Sequence, residues 1–441
     1  MGYVDIVNIV MFFIFNIVLL IFPLQYVFYI LVGLFSKKKV FPGAEKKLRY
    51  GVVICARNEE KVIGNLIDSI RKCDYPQELL DIFVIAHNCT DGTARAARSR
   101  AGTVVYEYNN DAERTKGHAL HKIFELIERD FGIMRYDGFH VFDADNVLDT
   151  EYFTKMNDAF LAYDREYSVT AFRNAKNFGE NAITAMYGLS YIVDCSLFSV
   201  GSEALHCSTR LLGSGFLVSA EMVRDGWNSV ILSDDSDFTA DQILQGRKVV
   251  YCGEAMYYDE HPTTFRAMWR QRLRWAKGAL LVCKTRMRGL FAEIFGKRKD
   301  AKNGEKRKKQ WRSALNLLGA LVPMGALGFF AVLINIILIC FSPFFGYDLG
   351  TVLLQYLIVF CICTAIPIFL MMIGAIICYK KEKRRIRGVS FRMKAKSVLL
   401  WPFFLFMLVP LQIQALFTRR FEWKPIEHSD AADHESFNRE G

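Results

Sequence analysis

The run from Ile6 to Phe35 holds no charged residue and is followed at once by Ser36-Lys37-Lys38-Lys39. A helix needs about 20 apolar residues to cross a bilayer, so this run reads as one long or tilted span. It is too long for a signal peptide, its positive charges follow the apolar stretch, and no small-residue cleavage site comes after it. The lysine triplet predicts a cytoplasmic location for the residues after 36 and an outside N-terminus. Ala314 to Phe341 predicts a second span behind the basic run Lys297-Arg298-Lys299 and Lys306-Arg307-Lys308-Lys309. Thr351 to Cys378 predicts the return, closed by Lys380-Lys381-Glu382-Lys383-Arg384-Arg385. A last apolar stretch, Val398 to Phe417, contains Pro402, Pro410, Gln412 and Gln414 and ends at Arg419-Arg420. Counting spans puts the C-terminus outside, the arginine pair puts it inside, and a broken or re-entrant helix would reconcile the two.

Composition agrees with this layout. Hydrophobic residues make up 52% of the 441, and the excess sits at the two ends, which excludes a disordered chain or a secreted disulfide scaffold. The net charge of +10 lies largely beside the apolar blocks, so it reads as membrane topology and not as nucleic-acid binding. The 11 cysteines include no CxxC pair and read as reduced, buried thiols.

Between the ends, strand and helix signals alternate. Gly51–Cys55, Asp81–Ala86, Thr103–Tyr106 and Gly138–Phe142 are short apolar runs that predict strands. Val62, Ile63, Leu66, Ile67 and Ile70 share one helical face, as do Ala119, Leu120, Ile123, Phe124 and Ile127 within a helix predicted over Lys116 to Arg129. Such alternation predicts an α/β, Rossmann-like domain with a parallel sheet, its ligand beyond the carboxyl ends of the strands. No GxGxxG comes after the first strand, which argues against a dinucleotide.

Three clusters carry chemistry. Asp143-Ala144-Asp145 leaves the fourth strand, where alternation points both carboxylates one way and suits a divalent cation that also binds a diphosphate; DxD also occurs by chance in loops. Ser233-Asp234-Asp235-Ser236-Asp237 crowds three acids, raising at least one pKa, and is equally a good helix cap. Gln271-Arg272-Leu273-Arg274-Trp275 puts an amide, a guanidinium and an indole on one helical face, with Arg272 elsewhere; it also fits an amphipathic helix on a lipid surface.

In this order, the three clusters resemble the processive, membrane-bound branch of family 2 glycosyltransferases, which includes cellulose, hyaluronan, chitin and poly-N-acetylglucosamine synthases. The resemblance covers roughly Val52 to Trp275. It implies a GT-A fold, a UDP-sugar donor, Mg²⁺ or Mn²⁺, and inversion at the anomeric carbon. Ala56, Arg57 and Glu59 look like the first nucleotide-cradling segment, Asp91 like the second, and Lys116 like the basic group beside the diphosphate. Asp143 would contact the nucleotide and Asp145 the metal. Asp235 would be the general base, with Asp234 standing where the family usually has Glu. Gln271 and Arg274 would hold the diphosphate, and Trp275 and Gly215 the acceptor. Ala86-His87 depart from the pattern, since the family often has an acid there to meet the base of the nucleotide.

The implied organisation is a transmembrane helix (1–36), a cytoplasmic GT-A domain (37–262), interfacial helices with a basic loop (263–312), transmembrane helices (313–418) and a polar tail (419–441). The implied activity extends a polysaccharide at the plasma membrane and exports it. The alternative is one transfer to a lipid acceptor. Membrane lipids are expected partners, and few spans for a channel point to an accessory membrane subunit or a homo-oligomer.

Overall fold

The computed structural model describes residues 25–296, 308–386 and 389–418. The expectations for most of the first span, for the basic run 297–307 and for the tail from 419 lie outside them.

A short apolar helix α1 (Gln25–Phe35) leads into an eight-stranded mixed sheet. The chain runs β1 (Tyr50–Ala56), α2 (Ile63–Arg71), β2 (Leu80–His87), α3 (Thr93–Arg98), β3 (Thr103–Tyr108), α4 (Lys116–Asp130) and β4 (Gly138–Asp143). It continues through β5 (Val147–Leu148), α5 (Tyr152–Ala162), β6 (Ser168–Ala175) and α6 (Ala182–Val193). A π-helical turn, Asp194–Ser199, joins α6 to α7 (Val200–Ala204). Then come β7 (Phe216–Ser219), α8 (Asp234–Leu244), β8 (Val249–Asp259) and α9 (Phe265–Ile294).

The spatial order is β3-β2-β1-β4-β7-β6-β8-β5. The first four strands are parallel, β7 runs antiparallel to both its neighbours, and β8 is parallel to β6 and antiparallel to β5. This is the mixed sheet of a GT-A, Rossmann-like domain. Alternate residues of β1 enter two cores: Val52 and Ile54 pack with α2 and α5, while Val53 packs with α4 and Trp227. A sheet buried on both faces needs continuous apolar runs, which is why its strands were readable. The register pairs Cys55 with Asp143, so the loops leaving β1 and β4 open side by side.

The apolar helices come next: α10 (Trp311–Leu321), α11 (Met324–Phe341), α12 (Leu349–Lys381), α13 (Phe391–Phe406) and α14 (Leu408–Phe417). Three stretches, 324–345, 349–381 and 391–417, are long and apolar enough to cross a membrane and are largely exposed. The expected single helix from Ala314 to Phe341 is instead two. Pro323 has no N–H to donate and holds Val322 extended at ψ 133°, which ends α10. α10 then packs on α8 and α9 with Leu317, Leu318 and Leu321 buried, so the exposed apolar stretch begins at Met324. The last stretch is broken at Met407, between α13 and α14.

Residues 182–204 form one more apolar helix of sufficient length, yet 83% of its most apolar stretch is buried. It lies between β6 and helices α12 and α13 and belongs to the core.

Candidate active site

A cavity of about 830 Å³ opens beyond the carboxyl ends of β1 and β4. Ala56, Arg57, His87, Lys116, Asp143 and Asp145 line one part of it, and Asp234, Asp235, Gln271, Arg274 and Trp275 close it from α8 and α9. Residues from three distant sequence clusters therefore share one wall.

Lys116 is the first residue of α4, behind its cap Thr115, whose side chain accepts from the His118 amide. The Lys116 ammonium donates to Asp143 at 2.5 Å and to the Gly213 carbonyl at 2.7 Å. Burial alone would lower its pKa, but the Asp143 and Asp234 carboxylates outweigh it and hold the amine charged. Beside it, Asn146 shapes the DxD turn: its amide oxygen accepts from the Asp143 N–H, and its amide nitrogen donates to Asp259 at 2.8 Å. Asp145 is buried, and its carboxylate accepts from the Glu260 amide at 3.3 Å.

Asp234 and Asp235 open α8. Burial pushes both carboxyls above the usual aspartate value. Lys116 opposes this at both, while the two acids' mutual repulsion and Asp143 add to it at Asp234. Asp235 accepts from the Ser236 amide at 2.7 Å, whereas Asp234 Oδ2 is buried with no hydrogen-bond partner. The third acid, Asp237, turns away and is held by both arms of Arg286 on α9 at 2.6 and 2.9 Å.

On α9, Arg274 faces the carboxylates of Asp143, Asp234 and Asp235, and burial lowers its pKa against their pull. Gln271 Oε1 is buried and unpartnered, and Trp275 meets the Tyr187 ring edge-on at 6.0 Å. Arg272 leaves this face, stacking over Phe404 of α13 at 3.9 Å and donating to its carbonyl.

Three expected site residues stand elsewhere. Asp91 is exposed and off the cavity wall; its carboxylate accepts from the Thr93 amide at 3.0 Å and the Glu60 amide at 3.1 Å, tying together the loops after β1 and β2. The Glu59 amide donates to Thr93 Oγ1 at 2.8 Å in the same tie, also off the wall. Gly215 lies off the cavity wall. Its φ is +63° and a Cβ would meet the Tyr257 ring at 2.1 Å, so a packing contact demands glycine there, and Gly213 is the loop residue on the cavity.

Residues 48–278, more than half of the chain, match the family described as glycosyltransferase like family 2. The chain belongs to this family. Relatives of the glycosyltransferase include a β-monoglucosyldiacylglycerol synthase from Nostoc sp., 26% identical over 237 residues, 52% of this chain and 48% of that one. A 4,4'-diaponeurosporenoate glycosyltransferase from Staphylococcus aureus is 29% identical over 158 residues, 34% and 38% of the two chains. The glycosyltransferase thus spans about half the length of the first relative and less of the second. A mannosyltransferase from Pyrobaculum calidifontis, solved with GDP-Man and Mn²⁺, shares the fold with a TM-score of 0.52 and 16% identity, over 85% of this chain and 99% of that one.

The glycosyltransferase cavity also holds polar groups that no motif announced. Arg173 pairs with Asp259 beneath the DxD turn, and Arg210 pairs with Asp194. His87 stacks on Tyr108 at 5.6 Å, with Nε2 2.7 Å from the Glu113 carbonyl. The one sequence signal for Asp194 was a carboxylate in the middle of the apolar run 182–204.

Proposed function

We propose that the chain transfers a single sugar from a UDP-sugar to the hydroxyl of a membrane lipid, with inversion. The chemistry of sugar transfer from a nucleotide sugar is that of the family. The observation carrying the acceptor reading is the far wall of the cavity. There Leu317 and Leu321 of α10, Phe404 and Leu405 of α13, and Leu408 of α14 line the space that Asp143 and Asp235 reach from the other side. A polar pocket continuous with an apolar groove suits a headgroup with acyl chains. Relatives named as a monoglucosyldiacylglycerol synthase and a diaponeurosporenoate glycosyltransferase lend support.

In this reading Asp235 accepts the proton of the acceptor hydroxyl as its oxygen bonds to the anomeric carbon and the bond to the diphosphate breaks. Lys116 and Arg274 stabilise the charge on the departing diphosphate, Asp143 and Arg57 hold the nucleotide, and Gln271 orients the diphosphate. Asp145 would hold a Mg²⁺ or Mn²⁺ ion. Among the described residues no three His, Cys, Asp or Glu gather into a cage, which agrees with an ion bound by one or two carboxylates plus substrate phosphates. When bound, such an ion neutralises diphosphate charge. The lysines at 37–39 and the basic run 380–385 support a cytoplasmic catalytic domain at the plasma membrane.

Extension of a polysaccharide is the second reading, favoured by the Trp275 indole on the cavity wall, which suits a sugar ring. The test is product analysis from the full-length protein in nanodiscs with Mg²⁺ or Mn²⁺ and a panel of UDP- and GDP-sugars. A singly glycosylated lipid, absent with Asp235→Asn, supports the proposal. A long polymer favours the second reading, and full activity of Asp235→Asn removes Asp235 from the base role.

A further inference from the structure

Asp194 sits where α6 widens into its π-helical turn, and Arg210 lies on the segment entering β7; both are on the cavity wall, beside Tyr26 of α1 and Tyr191. π-helical turns are rare and recur at functional sites. Asp194 is 7% exposed, and its Oδ1 accepts from Arg210 Nη2 at 2.9 Å. An arginine and a carboxylate commonly meet through two parallel hydrogen bonds. Here only one forms. Asp194 Oδ2 and Arg210 Nε are both buried and have no hydrogen-bond partner. One acceptor and one donor are thus left unsatisfied on two paired residues of the cavity wall, at the cost of burying an ion pair.

The chemistry of these two atoms is selective. A hydroxyl both donates and accepts, so it satisfies them at once. A phosphate only accepts, and it would bring negative charge against Asp194. The pair itself is neutral and adds no net attraction for an anion. Its location assigns it to the acceptor half. Arg57, His87 and Lys116 line the nucleotide half, whereas Tyr26 beside Asp194 belongs to α1, the end of the first apolar run. Asp235, the proposed base, lines the same cavity as the pair.

We propose that Asp194 and Arg210 form an acceptor subsite for an uncharged, hydroxyl-bearing headgroup, with one hydroxyl donating to Asp194 Oδ2 and accepting from Arg210 Nε. This rests on the glycosyl-transfer reading of the cavity and narrows its acceptor to an uncharged headgroup with at least two hydroxyls, one to react at Asp235 and one to bind the pair, excluding a lipid phosphate.

The experiment uses the full-length protein in nanodiscs, with monoglucosyldiacylglycerol, whose sugar offers one hydroxyl to react and others to bind, and a polyprenyl phosphate as rival acceptors. Acceptor KM is followed by labelled-sugar transfer, and donor Kd by calorimetry. Asp194→Asn keeps the shape but turns one oxygen into a donor. Arg210→Lys keeps the charge but loses Nε. Each is expected to raise the KM for monoglucosyldiacylglycerol about tenfold while the donor Kd stays within twofold, which also reports that the site is folded. Unchanged acceptor KM in both variants, weakened donor binding with unchanged acceptor KM, or preference for the polyprenyl phosphate would overturn the subsite. Polymer formation with a raised KM for a sugar primer in both variants would instead retain the hydroxyl subsite and overturn the lipid-acceptor reading.

Discussion

The Lys116 ammonium stands 2.5 Å from the Asp143 carboxylate and 2.7 Å from the Gly213 carbonyl, pinning the start of α4 to the end of β4 and to the loop before β7. One cation thereby serves three segments of the cavity wall. Replacing it with Met of similar length leaves Arg274 to offset the charges of Asp143 and Asp234 without the lysine. Lys116→Met is expected to cut kcat/KM by about 10² or more, as removing a preorganised charge does. Steady-state kinetics checks this, with near-wild-type turnover as the contrary result.

The Asp234–Asp235 pair sets a pH dependence. Burial raises both carboxyls, so the pair takes up a proton while the medium is still well above the ordinary aspartate value of 3.8. A base must be unprotonated, so activity should fall with acid earlier than an ordinary aspartate would cause. In Asp234→Asn one of the two repelling charges is gone, and the acid limb should move to lower pH. A pH profile of kcat/KM for the two proteins decides it.

His140 offers a stability test away from the site. It is fully buried on β4, edge-on to Tyr50 and Phe153 with ring centres 4.8 Å away in each case, and neither ring nitrogen has a hydrogen-bond partner. Burial pushes its pKa down to about 3 from 6.5. The unfolded chain therefore binds this proton below pH 6.5 while the folded chain does not. Its contribution is fully present above pH 6.5 and is lost as pH falls toward 3, at about 1.4 kcal/mol per pH unit. His140→Phe should flatten that part of the stability profile in denaturant titrations.

Gly215 separates packing from catalysis. A methyl group there meets the Tyr257 ring, whose hydroxyl donates to the Ser214 carbonyl at 2.9 Å, and the backbone φ of +63° disfavours any side chain. Gly215→Ala should lose about 1–3 kcal/mol of stability from overpacking alone. Acceptor KM should stay near wild type in the protein that does fold. A selective rise in acceptor KM without destabilisation would return Gly215 to the acceptor site.

The sheet and the three clusters were legible because each is local. Buried parallel strands are written as short apolar runs, and the DxD, the acidic helix start and the Gln271–Trp275 row each fit within one element. What was not legible depended on partners far along the chain. The apolar stretch 182–204 has the composition of a membrane span, and only its neighbours on α12, α13 and β6 make it a core helix. The pairs Arg173–Asp259 and Asp194–Arg210 each join residues from separate elements. Asp91 has a suitable position in sequence, but hydrogen bonds to Thr93 and Glu60 turn it into a fastener between loops.

Helix α9 has a mechanical consequence. It carries Gln271, Arg274 and Trp275 into the cavity, while Trp269 donates to Gln414, Arg272 to the Phe404 carbonyl and Lys277 to the Ala415 carbonyl, all on α13 or α14. The row from Gln271 to Trp275 is therefore bolted to the last apolar stretch at three points within nine residues of helix. Helices of that kind change tilt with the thickness of the bilayer around them. Such a tilt would be geared directly into the spacing between Arg274 and the Asp143 carboxylate, making bilayer thickness a dial on turnover.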